Sequence, residues 1–492
     1  MTDVSAFAAA LLIVSLIGLA GVLSSRLGEW LPIPAPALFL GGAAAASDIW
    51  PALGRIPMTS VQHVVTVALV VILFDGGMQI GWRRFRANAA AITWIGVAGT
   101  LVTAVALTLA AHLIFGLDWR IALLLGTALS PTDPAVVFSV LGRRQIDGRA
   151  GTLLQGESGA NDPVGIALLV VLLETTRFHW DAIGSVAGEF TVQLLVGAVA
   201  GIVCGRALLW FMRTVPLPAA GLYSVRVLVC VPAIYAVTTL IHGSGFLAVL
   251  VAGIVIGDQR APYRAEIERF HSALASLGEI VAFVMLGLTI QVTGPHGVVE
   301  GGALPIGLGL AILLALVIRP LLVGLTTLPI RLPRGDRIFV LWTGLKGAVP
   351  ILLGTFILNA GIPDAHRAYA IIFVVVAFSV VVQGGTLPAV ARWLRLPLRT
   401  VNPRPWAMNA RFEEEPDSLH RFTVASGSPA DGTTVAGLPF ADLWVSVIIR
   451  RGLLVVVSPD TRLRSGDEVL ILADPGSAAA IENLFTTKPQ AP

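Results

Sequence analysis

Long apolar runs recur along this chain, at 4–25, 33–50, 60–81, 89–115, 120–141, 152–173, 189–212, 224–241, 244–257, 273–292, 302–328, 338–360 and 368–391. A membrane span needs about 20 mostly apolar residues. Inside a bilayer every backbone polar group must be satisfied internally, which leaves helices or a closed barrel. Runs this long predict an all-α polytopic membrane domain of roughly 13 helices. Charged residues make up only 13% of the chain, against about 25% in soluble domains.

The loop charges give an orientation. Arg83, Arg84 and Arg86 follow the third run, Arg143, Arg144 and Arg149 the fifth, and Arg213 the seventh. Arg260, Arg264 and Arg269 follow the ninth, Arg331, Arg334 and Arg337 the eleventh, and Arg392, Arg395 and Arg399 the thirteenth. The intervening loops hold only Arg55, Arg120, Arg177 and Arg367. By the positive-inside rule the N-terminus lies outside an inner (plasma) membrane and the C-terminus lies in the cytoplasm. Residues 2–20 lack a basic n-region, so the first run reads as a retained span. The net charge of +3 reflects these orienting arginines and gives no reason to expect a nucleic-acid partner. Cys204 and Cys230 show neither metal spacing nor a disulfide framework.

Beyond the last run the pattern changes. Residues 1–395 form the predicted membrane domain, 396–418 a proline-containing linker, and 419–488 a small soluble domain. RFTVASG, WVSVIIRRGLLVVVSP and DEVLILADP alternate with β-branched residues and are separated by turn signals, so they read as strands. A closing helix over 477–485 completes a small α+β domain.

Two membrane runs are interrupted. In ALSPTDPAVVF, Pro131 and Pro134 lack N–H groups and push Ser130 and Asp133 away from helical geometry. Carbonyls near Thr132 are then left needing partners, and a cation beside Asp133 is one candidate. In WTGLKGAVPILLG, Gly344, Gly347 and Pro350 surround the mid-span Lys346. Broken helices at matching places in two halves point to a transporter site at an inverted repeat. A proline alone is often a mere kink. An ionisable residue at a span centre costs at least about 2.5–3.5 kcal/mol and is seldom idle.

The run at 152–173 opens with QGESGANDP. Ser158 and Asp162, four apart, share a helix face; Glu157 and Asn161 share a neighbouring one. Ser158 and Asp162 therefore point together towards a site, while Glu157 requires a counter-charge. Arg319, in LALVIRPLLV, is the first candidate and Lys346 the next. Asp75, in VILFDGGMQI, reads as an interfacial residue near a span end. Asp162, Asp133, Ser158 and Thr132 offer hard oxygens with few charges, which suits K⁺ or Na⁺ better than a transition metal. A carboxylate in such a setting holds either a proton or a cation, and that exclusivity couples two fluxes.

ESGAND at 157–162 resembles the ESxxND pattern of monovalent cation/proton antiporters of the NhaP and sodium/proton exchanger branch. TDP at 132–134, FDGG at 74–77, Arg319–Pro320 and GLKGAVP at 344–350 resemble the same branch in the same order. The resemblance implies a homodimer of 13-helix subunits whose core half moves in an elevator-like way. It implies that Asp162 carries cation or proton, assisted by Asp133, Ser158 and the Thr132 carbonyl. It further implies a Glu157–Arg319 pair, an orienting Asn161 and electroneutral exchange. The family usually has arginine where Lys346 stands. The C-terminal domain resembles the TrkA-C (RCK-C) module of potassium transport proteins, through GTTVAGLPF and VIIRRGLLVVVSPDTRLRSGDEVLIL. Such modules dimerise and often bind small ligands, so the resemblance favours K⁺ and implies a regulatory ligand, such as a nucleotide, at 419–488. No resident cofactor is expected; the ions are cargo.

Two other readings compete. Na⁺/H⁺ exchange on the same fold is the first. From another class, GESG fits an intramembrane serine protease with Ser158 as nucleophile. That mechanism needs a histidine base, and the nearest candidate, His242, sits near a span end.

Overall fold

The computed structural model describes residues 8, 19 and 34–486 apart from 51–52, 142–143, 147–148, 176–181, 260, 291, 294–297, 300, 329–331, 397, 401–418, 440–443, 451–452 and 474–477. The chain separates into two compact units, Met1–Asn402 and Pro403–Pro492. All of the first apolar run, 4–25, except residues 8 and 19, and most of the predicted linker lie outside the described residues.

Each later apolar run holds a helix. They are α1 (Ala35–Ile49), α2 (Met58–Ile80), α3 (Trp82–Leu113), the pair α4 (Trp119–Ala128) and α5 (Pro134–Leu141), α6 (Arg149–Glu174) and α7 (Ala182–Thr214). There follow α8 (Ala220–Leu240), α9 (Gly245–Ile256), α10 (Arg264–Leu288), α11 (Ala303–Val323), the pair α12 (Arg334–Trp342) and α13 (Ala348–Asn359), and α14 (Ala365–Trp393). Among the described residues eight helices are long and apolar enough to cross a membrane by themselves. α10 starts nine residues before the apolar run that predicts it, because Arg264 and Glu268 pair across one turn and carry the helix into the polar region.

Water is not available in a bilayer to drive helices together, so close approach of backbones must do that work. Gly197, Gly201 and Gly205 form a stripe at every fourth residue of α7. A Cβ at Gly197 or Gly201 would strike the Ser244 or Ala248 carbonyl of α9 and its N-cap, and one at Gly205 would press on Ala252. α9 is buried along nearly its whole length. Among the described residues three helices contain a widened π-helical stretch: Trp94–Gly99 in α3, Leu314–Val323 in α11 and Ser379–Gly384 in α14. Such stretches often lie at functional sites, and two of these supply site contacts described below. A short antiparallel ladder joins β1 (Arg144–Ile146) to β2 (Leu398–Thr400).

The second unit is a four-stranded antiparallel sheet of order β3–β6–β4–β5, formed by β3 (Leu419–Thr423), β4 (Trp444–Arg450), β5 (Leu453–Val455) and β6 (Glu468–Leu472), with α15 (Ala478–Phe485). Val469 and Ile471 alternate inward on β6 and meet Ile448, Leu463 and Phe485 in a core separate from that of the membrane unit. Burial alone would raise the Asp467 carboxyl, but hydrogen bonds from Arg450 and the Arg464 N–H hold it below its ordinary value.

Candidate ion-binding site

The two interrupted helices meet at their breaks. α4 ends at Ala128 and α5 begins at Pro134; α12 ends at Trp342 and α13 begins at Ala348. The Asp133 N–H donates to the Leu345 carbonyl at 2.8 Å. The Lys346 ammonium, fully buried, donates to the carbonyls of Ser130 and Pro131 at 2.9 and 2.8 Å. Pro134 has no N–H to offer the Ser130 carbonyl, and the lysine supplies one instead. The sequence suggested a mobile cation for the freed carbonyls; at these two positions the protein brings its own. The Lys346 N–H is held in turn by Ser379 Oγ at 2.9 Å, at the start of the π-helical stretch of α14.

α6 runs unbroken through Pro163 and lays its polar mouth against the first break. Ser158 Oγ donates to the Thr132 carbonyl at 2.5 Å. Asn161 Nδ2 donates to Thr132 Oγ1 at 2.7 Å, and Asn161 Oδ1 accepts from the Thr132 N–H at 3.3 Å. Asn161 therefore acts alongside Ser158 in clamping Thr132, rather than alongside Glu157 as their shared face suggested. Ser158 spends its proton on a carbonyl, not on a base that would activate it as a nucleophile.

Glu157 points elsewhere. Its Oε1 accepts from Arg319 Nη2 at 2.8 Å, both side chains about 95% buried. Arg319 also donates from Nε to the Leu341 carbonyl at 2.9 Å and from Nη2 to the Val340 carbonyl at 3.3 Å. Those carbonyls end α12, where a cation also favours the helix dipole. The arginine thus ties α6, α11 and α12 together. Lys346, the second-choice counter-charge, instead serves the first break.

Asp162 is left. It is buried, and among the described residues its Oδ1 has no hydrogen-bond partner. Its carboxylate interacts electrostatically with Asp133 and with Lys346. A sealed oxygen of this kind is costly unless a proton or cation meets it.

Two glycines let the breaks close. A Cβ on Gly344 would run into the Arg319 guanidinium, and one on Gly347 into the Asp133 carboxyl. Gly347→Ala is expected to push Asp133 aside and weaken apparent cation affinity by about tenfold, roughly 1.4 kcal/mol, with little loss of protein yield. Uptake measured against cation concentration tests this; an unchanged half-saturation point overturns it.

Two acidic residues were not given site roles from sequence. Asp75 is buried, and accepts from Gln79 Nε2 at 2.6 Å; it lines a cavity of about 570 Å³. Glu279 of α10 interacts electrostatically with Asp133. Its signal was an acidic residue within an apolar run, the same signal that marked Asp133.

Two broken helices that meet beside a buried carboxylate, with an oxygen unpartnered among the described residues, inside a bundle of apolar helices, are the mark of ion-coupled exchangers. Residues 8–393 match the family described as sodium/hydrogen exchanger, transmembrane, and residues 419–486 match the TrkA-C domain. The chain belongs to the sodium/hydrogen exchanger family. It is 38% identical to the K(+)/H(+) antiporter NhaP of Alkalimonas amylolytica, over 83% of this chain and 71% of that protein. It is 32% identical to the K(+)/H(+) antiporter NhaP2 of Shewanella sp. (strain ANA-3), over 97% and 83%. The fold is shared with the solved sodium proton antiporter MjNhaP1 of Methanocaldococcus jannaschii, at a TM-score of 0.61 and 22% identity, covering 76% of this chain and 99% of that one.

Proposed function

We propose that this chain is a secondary active antiporter exchanging a monovalent cation, K⁺ in preference to Na⁺, for protons across the inner membrane, one for one. The observation that carries the reading is the orphaned Asp162 Oδ1 beside Asp133 and the fixed Lys346 ammonium. Glu157 and Arg319 cancel. Lys346 offsets one of the two aspartates. A single negative charge remains, which one proton or one monovalent cation neutralises, and never both together. Asp162 is the carrier; Asp133, Ser158 and Thr132 complete the oxygen set, and Asn161 holds Thr132 in place.

K⁺ is preferred because the two relatives named above are K(+)/H(+) antiporters. Na⁺/H⁺ exchange is the second reading, favoured by the name of the solved protein with this fold. Uptake into proteoliposomes driven by a pH difference, compared for K⁺, Na⁺, Rb⁺ and Li⁺, decides between them; no uptake of any cation overturns both.

The arginine-rich end of the bundle is read as cytoplasmic, with the C-terminal domain on that side and the N-terminus outside. The protein is read as a homodimer, with 419–488 as a regulatory domain that takes a small ligand such as a nucleotide. A ligand there shifts transport only by its differential affinity for the transporter's states. Truncation after Thr400 keeps the β1–β2 ladder. It is expected to preserve exchange while changing its dependence on pH or cation concentration. Complete loss of transport in a folded, dimeric truncation overturns the regulatory role.

A further inference from the structure

The cavity of about 570 Å³ opens among the ends of α2 and α9 and the first turns of α10, lined by the carboxylates of Asp75, Asp258 and Glu268, by Arg83, Arg84, Arg264 and Arg269, and by Ser272. α10 continues from it into the bundle, packs along α2 and touches α13, the helix that follows the second break. On α10, Glu268, Ser272, Ala275 and Glu279 follow the i, i+4, i+7, i+11 spacing that keeps residues on one helix face. Glu279 therefore lies about 16 Å beyond Glu268 along the helix, at 1.5 Å per residue. The stripe starts in the cavity. It ends at a carboxylate that interacts electrostatically with Asp133. Glu279 Oε1 is sealed from solvent, and among the described residues no donor reaches it. Among the described residues that oxygen has neither a salt bridge nor an N–H, and an acid placed within a span is seldom idle.

We propose that Glu279 is a further ion-carrying residue of the exchanger, the station between the α10 cavity and Asp162. This rests on the antiport reading above. Glu279 holds a proton while the station is empty. A cation entering from the cavity displaces that proton to the solution. When the cation moves on to Asp162, the proton held there passes back to Glu279. Both carboxyls are neutral before and after each transfer, so the charge count at Asp133, Asp162 and Lys346 is unchanged. The cation leaves the cavity and a proton returns to it along the same stripe.

The test is proteoliposome exchange by the full chain carrying Glu279→Gln or Glu279→Asp, beside Asp162→Asn. Glu279→Gln is expected to raise the half-saturating cation concentration at least tenfold and to slow turnover. Glu279→Asp, which keeps a carboxyl, is expected to recover most of both. Recovery by Asp separates ion carriage from packing, since the shorter side chain restores charge and not volume. Where Glu279→Gln does not fold, Glu279→Cys supplies the readout. It is made after replacing Cys204 and Cys230 with Ser, and modified with a small cationic thiosulfonate. Modification from the cavity side that K⁺ slows supports the station. Wild-type kinetics in Glu279→Gln, failure of Asp to rescue, or a cysteine that K⁺ does not protect each overturn it. Exchange surviving in Asp162→Asn would instead overturn Asp162 as the carrier, and absence of any exchange in the wild type would overturn the underlying antiport reading.

Discussion

Asp162→Asn is expected to abolish exchange at every pH and every cation concentration, while the purified protein remains folded. An amide neither releases a proton nor neutralises a cation, so the one exchangeable charge at the crossing is lost. Volume and burial hardly change, and an orphaned carboxylate becomes a neutral group, so the melting temperature should hold or rise. Ligand-linked stabilisation gives a second readout that does not depend on turnover. A protein that binds a cation gains about 2.7 kcal/mol at a concentration one hundred times its dissociation constant. Wild type should melt later as K⁺ is raised, and Asp162→Asn should not. Full exchange by the purified variant would sink the mechanism. A variant that still shows the K⁺-dependent rise would move the binding site elsewhere.

Glu157→Ala is expected to be among the most damaging single changes to stability. It leaves the Arg319 guanidinium buried among α6, α11 and the end of α12 with no opposing charge. Breaking a buried pair from one side costs about 3–5 kcal/mol, because the remaining ion stays unpaired. Arg319→Ala strips a carboxylate of its partner and also uncaps the Leu341 and Val340 carbonyls. It should be at least as damaging. The double variant Glu157→Ala/Arg319→Ala should recover part of the loss, since neither charge then remains. The recovery stays partial because α12 still ends on bare carbonyls. Melting temperature and detergent-resistant yield read this cycle. Single variants that both melt like wild type would remove the pair from any structural role.

The spans were legible because apolar length is a one-dimensional signal. So were the two breaks, since proline and glycine act on their own backbone wherever they sit. ESGAND gave the right pairing of Glu157 with Arg319 because a buried carboxylate leaves few choices of counter-ion. The use of Lys346 was not legible. Its partners are the carbonyls of Ser130 and Pro131, more than two hundred positions away, and carbonyls carry no residue-specific signature. Asn161 was placed on a face by helical period alone, which gives direction and not reach; its contact with Thr132 depends on how closely α6 lies against the first break. Asp75 was read only from its distance to a span end, which says nothing of its burial. Burial there depends on α9 and α10 packing over it, which a single helix does not reveal.

The ammonium of Lys346 is anchored by two carbonyls on one break while its own N–H is anchored to α14. In the proposed exchange it never leaves, so the moving unit is neutral whether it holds a proton or a cation. The membrane voltage, worth about 2.3 kcal/mol per charge per 100 mV, then has nothing to pull on. Such an exchanger comes to rest when the cation ratio across the membrane equals the proton ratio, whatever the potential. A difference of one pH unit sustains a tenfold cation gradient in a fully energised cell and in a depolarised one alike. Replacing the lysine with a neutral residue would free Asp133 to take up a second proton, and an exchange of two protons for one cation would give the cell's voltage a grip on the cation balance.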